Sequence, residues 1–448
     1  MLPSLGAIFF SLFGLFAAVP VQARSSTGNS VLVVLQPDLK RDNFTIFFDN
    51  LEKRGYDLTL RTPEDDALPI IRDDNPTYSH IILFAPDIKS FSQDVTPQSL
   101  VTVLNAGTNL IVALSPTQSP VFTLASEFSL ILPPPSTPLI SHFPARDSPP
   151  SVIPVAVPPK HPLLTPNTPP VWYSGIPFAH GNNPLLVPIL HAPAESFASD
   201  TDSDAGAEAL FDAAERGGEG LWAGSAMGIV TGFQTRDNSA RVTWVGGIEL
   251  FTDAYAHKSL PSGEKSGNEQ FARDVAAWTF QENLVLRIDS ITHHLLNETV
   301  PREHYTINEN IVFEAHISRY DSERGWSPYS GLHDLQLEFT MLDPHIRTAL
   351  LPVTSKLGLY QAAFRIPDRH GVFKFVLDYR RRGWTILKAT TTVPVVPPRH
   401  DGYPRFLSAA WPYYAGAIST SLGFFVFAAL WLAGDDKERK KGKATKTE

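Results

Sequence analysis

The residues best suited to chemistry are few in this chain, and their spacing fails each reaction they could serve. Ser225 stands in "GSAMG", directly after Gly224, whereas a nucleophile elbow needs G-x-S-x-G to lift its serine from a strand-to-helix turn. Asp200, Asp202 and Asp204 alternate as in a cation loop or the carboxylate pair of a sugar transferase. The calcium-loop template asks for glycine at its sixth position and glutamate at its twelfth. Ala205 and Phe211 stand there, so the run reads as a solvated acidic loop. His293 and His294 are adjacent, and no H-x-x-x-H or H-x-x-E-H spacing accompanies them. A strand would point them to opposite faces, which suits structure better than metal. No phosphate loop and no G-x-G-x-x-G is present. With 0 cysteines, disulfides, thiolate metal sites and cysteine nucleophiles are all excluded. The expectation is therefore no catalytic residue, no metal and no cofactor.

What remains is covalent decoration and anchoring. Two N-x-[ST] sequons, at Asn43 and Asn297, would accept glycans in a lumenal chain, while Asn167-Thr168-Pro169 fails at its third position. Leu5 to Val19 is an apolar run followed by Val21-Gln22-Ala23, a small-x-small pattern. It reads as a signal peptide, residues 1–23, cut between Ala23 and Arg24. At the other end, residues 406–433 carry no charge and exceed the ~20 residues that span a bilayer. Trp411, Tyr413 and Tyr414 flank one end of this helix and Trp431 the other, as interfacial belts do. The tail, 434–448, holds six Lys/Arg, which the positive-inside rule assigns to the cytosol. Ala415, Ser419 and Gly423 recur every four residues and so share one helix face, a small-residue stripe for close packing against another span. A net charge of −9 and a pI near 5.9 argue against nucleic acid as a partner.

The elements between these ends form two blocks. "SVLVVLQPD", "FTIFFDNLEKRGYDLTL", "YSHIILFAPDI" and "TPQSLVTVLNAGTNLIVALSP" alternate apolar strands with amphipathic helices. That rhythm calls for a doubly wound parallel sheet, placed at 30–283. Fourteen prolines between 133 and 170 make an extended, partly polyproline II insertion of that segment. From residue 284 helices give way to alternating strands: Leu335, Leu337, Phe339 and Met341 against polar neighbours, then Phe373, Phe375, Leu377 and Tyr379. Several such strands at short spacing predict an antiparallel β-sandwich over 284–397, tied to the span by the proline-bearing "VPVVPPRHDGYPR".

Five stretches carry a family resemblance: "LEKRGYDLTLRTPEDDALPIIRDDNPTYSHIILFAP", "TRDNSARVTWVGGIELFTDAY", "DLQLEFTMLDPHIRTAL", "PDRHGVFKFVLDYRRRGWT" and "AAWPYYAGAIS". In order and spacing they resemble the 48-kDa subunits of the endoplasmic-reticulum oligosaccharyltransferase, from about residue 30 to the end of the span. The resemblance implies a non-catalytic, single-span type I subunit whose first domain is similar to amidotransferase and flavodoxin-like folds. The partners it implies are the catalytic subunit, a ribophorin II-type subunit, a small defender-against-cell-death-type subunit and membrane lipid, with dolichyl-linked oligosaccharide met indirectly. The catalytic subunit's W-W-D-Y-G motif is absent from this chain. The competing class is a lumenal carbohydrate-active enzyme or lectin-like receptor, which would act without multi-span partners.

Overall fold

The computed structural model describes residues 24–65, 69–89, 91–198, 222–402 and 407–443, with side chains to 434. The acidic run Asp200, Asp202, Asp204 and the cleavage residue Ala23 lie outside the described residues.

The first region is built on β1 (Ser30–Leu35), whose unbroken apolar run has five of six residues buried. α1 (Thr45–Lys53) leads to β2 (Asp57–Arg61), and β3 (His80–Phe84) to α2 (Pro97–Asn105) and β4 (Asn109–Ala113). α3 (Pro120–Glu127), β5 (Leu186–His191), β6 (Gly228–Gln234), β7 (Arg241–Val245) and α4 (Asn268–Thr279) complete it. The sheet order is β5-β6-β7-β4-β3-β1-β2. The five strands from β7 to β2 pair in parallel, while β5 and β6 join antiparallel at the edge. Strand period sorts the core: Val31, Val33 and Leu35 face Phe47, Phe48 and Leu51 of α1 and Phe271 and Val275 of α4. Leu32 and Val34 face Leu100, Val103 and Leu104 of α2 and Val121 and Leu124 of α3. α2 starts where it does because Thr96 and Ser99 cap each other reciprocally and Pro97 holds the first-turn φ.

The proline-rich segment, expected as an extended insertion, is tied into the fold by short strand pairs and core contacts. Ile153–Val155 pairs with Val171–Tyr173, Leu139–Ile140 pairs with Phe197–Ala198, and Leu139, Ile153, Leu163 and Leu164 join the main core. Prolines remove N–H donors and leave carbonyls in surplus. Arg146 offsets this by donating to the carbonyls of Ser141, Phe143, Pro144, Pro150 and Val152.

The second region is all strand: β8 (Val285–Leu295), β9 (Asn310–Asp321), β10 (Gln336–Thr340), β11 (Pro344–Ala349), β12 (Leu359–Arg365), β13 (Gly371–Tyr379) and β14 (Leu387–Val396). One sheet runs β8-β9-β12 with Leu351–Pro352 at its edge; the other runs β14-β13-β10-β11 with Tyr305–Thr306 beside β14. Alternate residues of β13 are buried, and Phe375 meets Phe313 of the other sheet at 5.1 Å between ring centroids. After it α5 (Trp411–Lys443) begins; Ser408–Gly434 is long and apolar enough to cross a membrane, and its most apolar stretch has no residue buried. The helix thus runs past 434 into the charged tail rather than ending at 433.

Candidate functional site

In a parallel sheet covered on both faces, ligands settle beyond the carboxyl ends of the strands where strand order reverses, here between β1 and β3. This chain fills that crevice with rings. Phe44, Phe47, Phe48, Phe84 and Phe251 are all buried there, and Phe47–Phe251 and Phe84–Phe251 lie 4.9 and 5.1 Å apart. Two carboxylates that the sequence did not flag form its polar lip. Ser115 Oγ donates to Asp87 at 2.5 Å, and Glu249 is pushed up by burial first and by the charge of Asp87 second. Beside these carboxylates the phenylalanine rings pack against one another.

The densest buried polar structure lies at the junction of the two regions. Arg241, fully buried at the start of β7, donates to Gln234 Oε1 at 3.3 Å and to the carbonyls of Trp278 (2.7 Å), Asn283 (3.0 Å), Leu284 (3.0 Å) and Gly383 (3.4 Å). Its guanidinium also stands over the Trp278 ring at 4.9 Å. These five partners are neutral, so dipoles alone solvate the charge. Burial lowers its pKa to about 9, which still leaves it charged at neutral pH. Trp278 Nε1 donates to Gly383 O at 2.8 Å, Gln234 Nε2 to Trp384 O at 2.9 Å, and Ile386 N to Ser239 Oγ at 3.2 Å. The 380–386 turn is therefore clamped onto the α/β region. Beside it a cleft of about 180 Å³, floored by Leu185, Val187 and Ile386, is rimmed by Arg380, Arg381 and Arg382.

A second cluster fixes α1 to the end of α4. Arg54 Nη1 and Tyr56 Oη donate to Glu282 Oε1 at 2.6 and 2.8 Å, all three residues being buried. Burial, the Glu282 charge and its hydrogen bond push the Tyr56 hydroxyl well above its ordinary value. His80, fully buried and stacked on Phe280 at 4.3 Å, donates from Nε2 to Gly28 O and accepts at Nδ1 from Asn109. Desolvation lowers its pKa to about 3, so it is neutral in the fold.

Comparison with known proteins places this architecture. The model for the OST48 N-terminal domain matches residues 22–282 and the model for the OST48 middle domain matches 293–435. The chain belongs to the OST48 family. Three relatives carry the name dolichyl-diphosphooligosaccharide–protein glycosyltransferase 48 kDa subunit. The one from Danio rerio is 32% identical, covering 96% of this chain and 97% of that protein. Those from Arabidopsis thaliana and Caenorhabditis elegans are 29% and 30% identical over 91% and 97% of this chain, and over 93% and 98% of their own lengths. A solved thua-like protein from Parabacteroides merdae aligns at a TM-score of 0.29 and 10% identity, covering 61% of this chain and 93% of that one; so low a score carries no argument.

In this OST48 family chain the residues singled out from sequence are dispersed. Asn43 and Thr45 are exposed at the entry to α1, and Asn297 and Thr299 are exposed after β8. Ser225 is exposed in a turn. His293 stacks on Phe375 at 5.1 Å and bonds the Tyr305 hydroxyl at 2.8 Å, while His294 lies 3.9 Å from Glu314. The two rings do take opposite faces, and among the described residues no group of three His, Cys, Asp or Glu could hold a metal. Arg24 lines a shallow pocket with Arg273 and Glu282. Ala415, Ser419 and Gly423 are all exposed, and a Cβ built on Gly423 meets nothing within 4 Å.

Proposed function

We propose that the chain is a non-catalytic, single-span subunit of an oligosaccharyltransferase complex, which moves a lipid-linked oligosaccharide onto the asparagine of N-x-[ST] sequons. The observation carrying this reading is the end-to-end match: 96% of this chain aligned to 97% of a relative named as that complex's 48 kDa subunit. The ring-filled crevice and the absence of cysteine support a scaffold rather than an enzyme. In this reading residues 1–23 are a signal peptide cut after Ala23. Residues 30–283 form a doubly wound, flavodoxin- and amidotransferase-like domain and 284–397 an antiparallel β-sandwich, both in the lumen of the endoplasmic reticulum. The strand order β2-β1-β3-β4-β7 supports the first assignment and the facing aromatic layers support the second. The tail is cytosolic, Asn43 and Asn297 carry glycans, and the face of Ala415, Ser419 and Gly423 meets a neighbouring span. The catalytic, ribophorin II-type and small defender-against-cell-death-type subunits are the partners proposed.

Purification of the full chain from membranes in mild detergent tests this. Multi-span chains should co-purify, and glycan transfer to an acceptor peptide should follow the complex and not the isolated chain. Transfer by the isolated chain would return the ring-filled crevice, with Asp87 and Glu249, to consideration as an active site.

A further inference from the structure

The registers of the β-rich region place its loops at two opposite ends. At one end Tyr379 pairs with Leu387 and Val285 with Tyr320, next to the α/β region. At the other, Gly371 pairs with Val395, Tyr305 with Val395, and Thr340 with Lys374. The chain leaves for α5 from this second end, because β14 finishes at Val396. Eleven residues, 397–407, separate it from the start of the apolar segment at Ser408. Fully extended, the twelve steps from Val396 to Ser408 reach at most about 40 Å, so the second end is the one tethered to the span.

That end carries apolar tips with nothing over them among the described residues. Leu342, in the turn between β10 and β11, is 92% exposed. Val372, paired with Pro394 of the exit strand, and Val300, before Tyr305, are 56% and 68% exposed. The tips share one rim: a Cβ on Gly371 would fall 2.6 Å from Met341 Sδ, so the 341–343 turn packs on the start of β13. Asp343 and Lys374 flank Leu342 in this rim and would keep it shallow, at headgroup depth, with the apolar tip alone below. We propose that this rim is a second membrane contact, Leu342 and Val372 resting in the lipid interface beside the span. The inference depends on α5 being a membrane anchor.

The absence of cysteine allows single probes to be placed in the full chain without a background thiol. L342C, L357C and G423C would each be labelled with bimane and reconstituted into phosphatidylcholine vesicles. Their acyl chains would be unbrominated, brominated near the ester end for 342 and 357, or brominated near the terminal methyl for 423, about 22 Å along the helix from Ser408. Leu357 is 76% exposed but belongs to a loop at the opposite end, ahead of Leu359, which pairs with His316. Bromine should dim the probe at 342 about twofold and leave the one at 357 unchanged, because lipid contact and not exposure decides quenching. Equal, unquenched signals at 342 and 357 with a quenched 423 would overturn the contact while leaving the anchor standing. An unquenched 423 would overturn the anchor and the contact together. A probe at 342 shielded from water yet unquenched in the assembled complex would assign the rim to a protein neighbour and overturn it too.

Discussion

In the α/β region the Arg54–Glu282 pair has side chains 5% and 6% exposed, the Arg61–Asp94 pair 0% and 22%, and Arg241 lies fully buried among neutral oxygens. In the β-rich region Arg287–Asp289, Arg302–Glu298, Arg347–Glu338 and Arg380–Asp378 all lie open to solvent. Arg41–Glu52 and Lys265–Glu269 do the same on the outside of the α/β region, so it is the enclosed set that sets the first region apart. The cause is architectural. A parallel sheet is covered on both faces, so charge at its strand ends is enclosed by the helices and turns that cover it. Each sheet of the second region has one face on the core and one in water, where charge stays hydrated. Enclosed charge is costly to disturb and exposed charge nearly free, so the two regions should respond to substitution on different scales. The enclosed charges also cluster where the chain must stay in one arrangement: α1 against α4, and one region against the other.

The largest separation should come from Arg241. R241M removes five hydrogen bonds at once. Asn283 O and Gln234 Oε1 lose their arginine donor, while Trp278 O, Leu284 O and Gly383 O each fall back on a single remaining one, from Gln281 N, Thr385 N and Trp278 Nε1. Bonds to a charged donor contribute about 1.5–3 kcal/mol each and are not additive, so a loss of at least about 4 kcal/mol is expected. R347M, in the exposed set, should cost less than about 1 kcal/mol. Denaturant unfolding of the purified chain, followed by tryptophan fluorescence, measures both. Equal losses would mean that water reaches the junction and that the enclosure argument is wrong.

Glu282 comes next. E282A leaves the buried Arg54 without its carboxylate partner and takes the acceptor from Tyr56, a change expected to cost about 3–5 kcal/mol. E298A, on the exposed pair with Arg302, should be silent within about 1 kcal/mol. The same denaturation series serves, and a silent E282A would show that Arg54 swings out to solvent.

Acid supplies a smaller and graded contrast. His80 has its folded pKa depressed to about 3, against an ordinary value of 6.5. A base whose folded pKa is lowered binds its proton only in the unfolded chain, so stability is complete above pH 6.5 and falls as pH drops toward 3. From pH 6.5 to pH 5 the loss attributable to His80 is about 1.6 kcal/mol. H80Q should flatten that part of the profile in the α/β region. His293 is also lowered by burial and then by His294, and contributes in the same direction from the β-rich region. A profile unchanged in H80Q would reject the neutral buried imidazole.

How much of this could be read in the chain follows from where the partners lie. The faces of β13 and β10 are explicit because Phe373, Phe375 and Leu377 alternate within a few residues, and burial follows period 2 directly. The parallel strands were equally plain as unbroken apolar runs. Arg241 was not legible: "ARVTWV" reads as a strand with a charge at its edge, and the carbonyls that hold it lie 37 to 142 residues away. The packing of the proline-rich segment was hidden for a related reason. Composition reports missing donors, whereas packing depends on Arg146, one residue whose five bonds are set by the local bend. No signal short of the fold announced the phenylalanine plug, since Phe44 and Phe251 are far apart in sequence. Nor did any announce that Asp87 and Glu249 would stand near each other.

The smallest effect on folding should come from the helix that belongs to neither region. Ser419 and Thr420 turn their hydroxyls back onto the Gly416 carbonyl, at 2.9 and 2.8 Å, so the small-residue face presents little polar surface outward. Ala415, Ser419 and Gly423 leave a shallow groove with nothing against it in the isolated chain. Lipid tails are as apolar as any side chain, so no hydrophobic force draws two spans together. Close backbone approach must supply the contact, and it needs small residues. Changing all three to leucine keeps the segment apolar and raises its tendency to insert. Both folded regions should therefore unfold at the same denaturant concentration as the parent, and the glycan shifts abolished by N43Q and N297Q should persist. The added leucines would hold a neighbouring helix away by more than its dispersion contacts tolerate. Detergent pull-down should then recover the variant without its multi-span partners. Full recovery of those partners would show that the face is unused, and would move the work of assembly to the two folded regions and the rim at their membrane end.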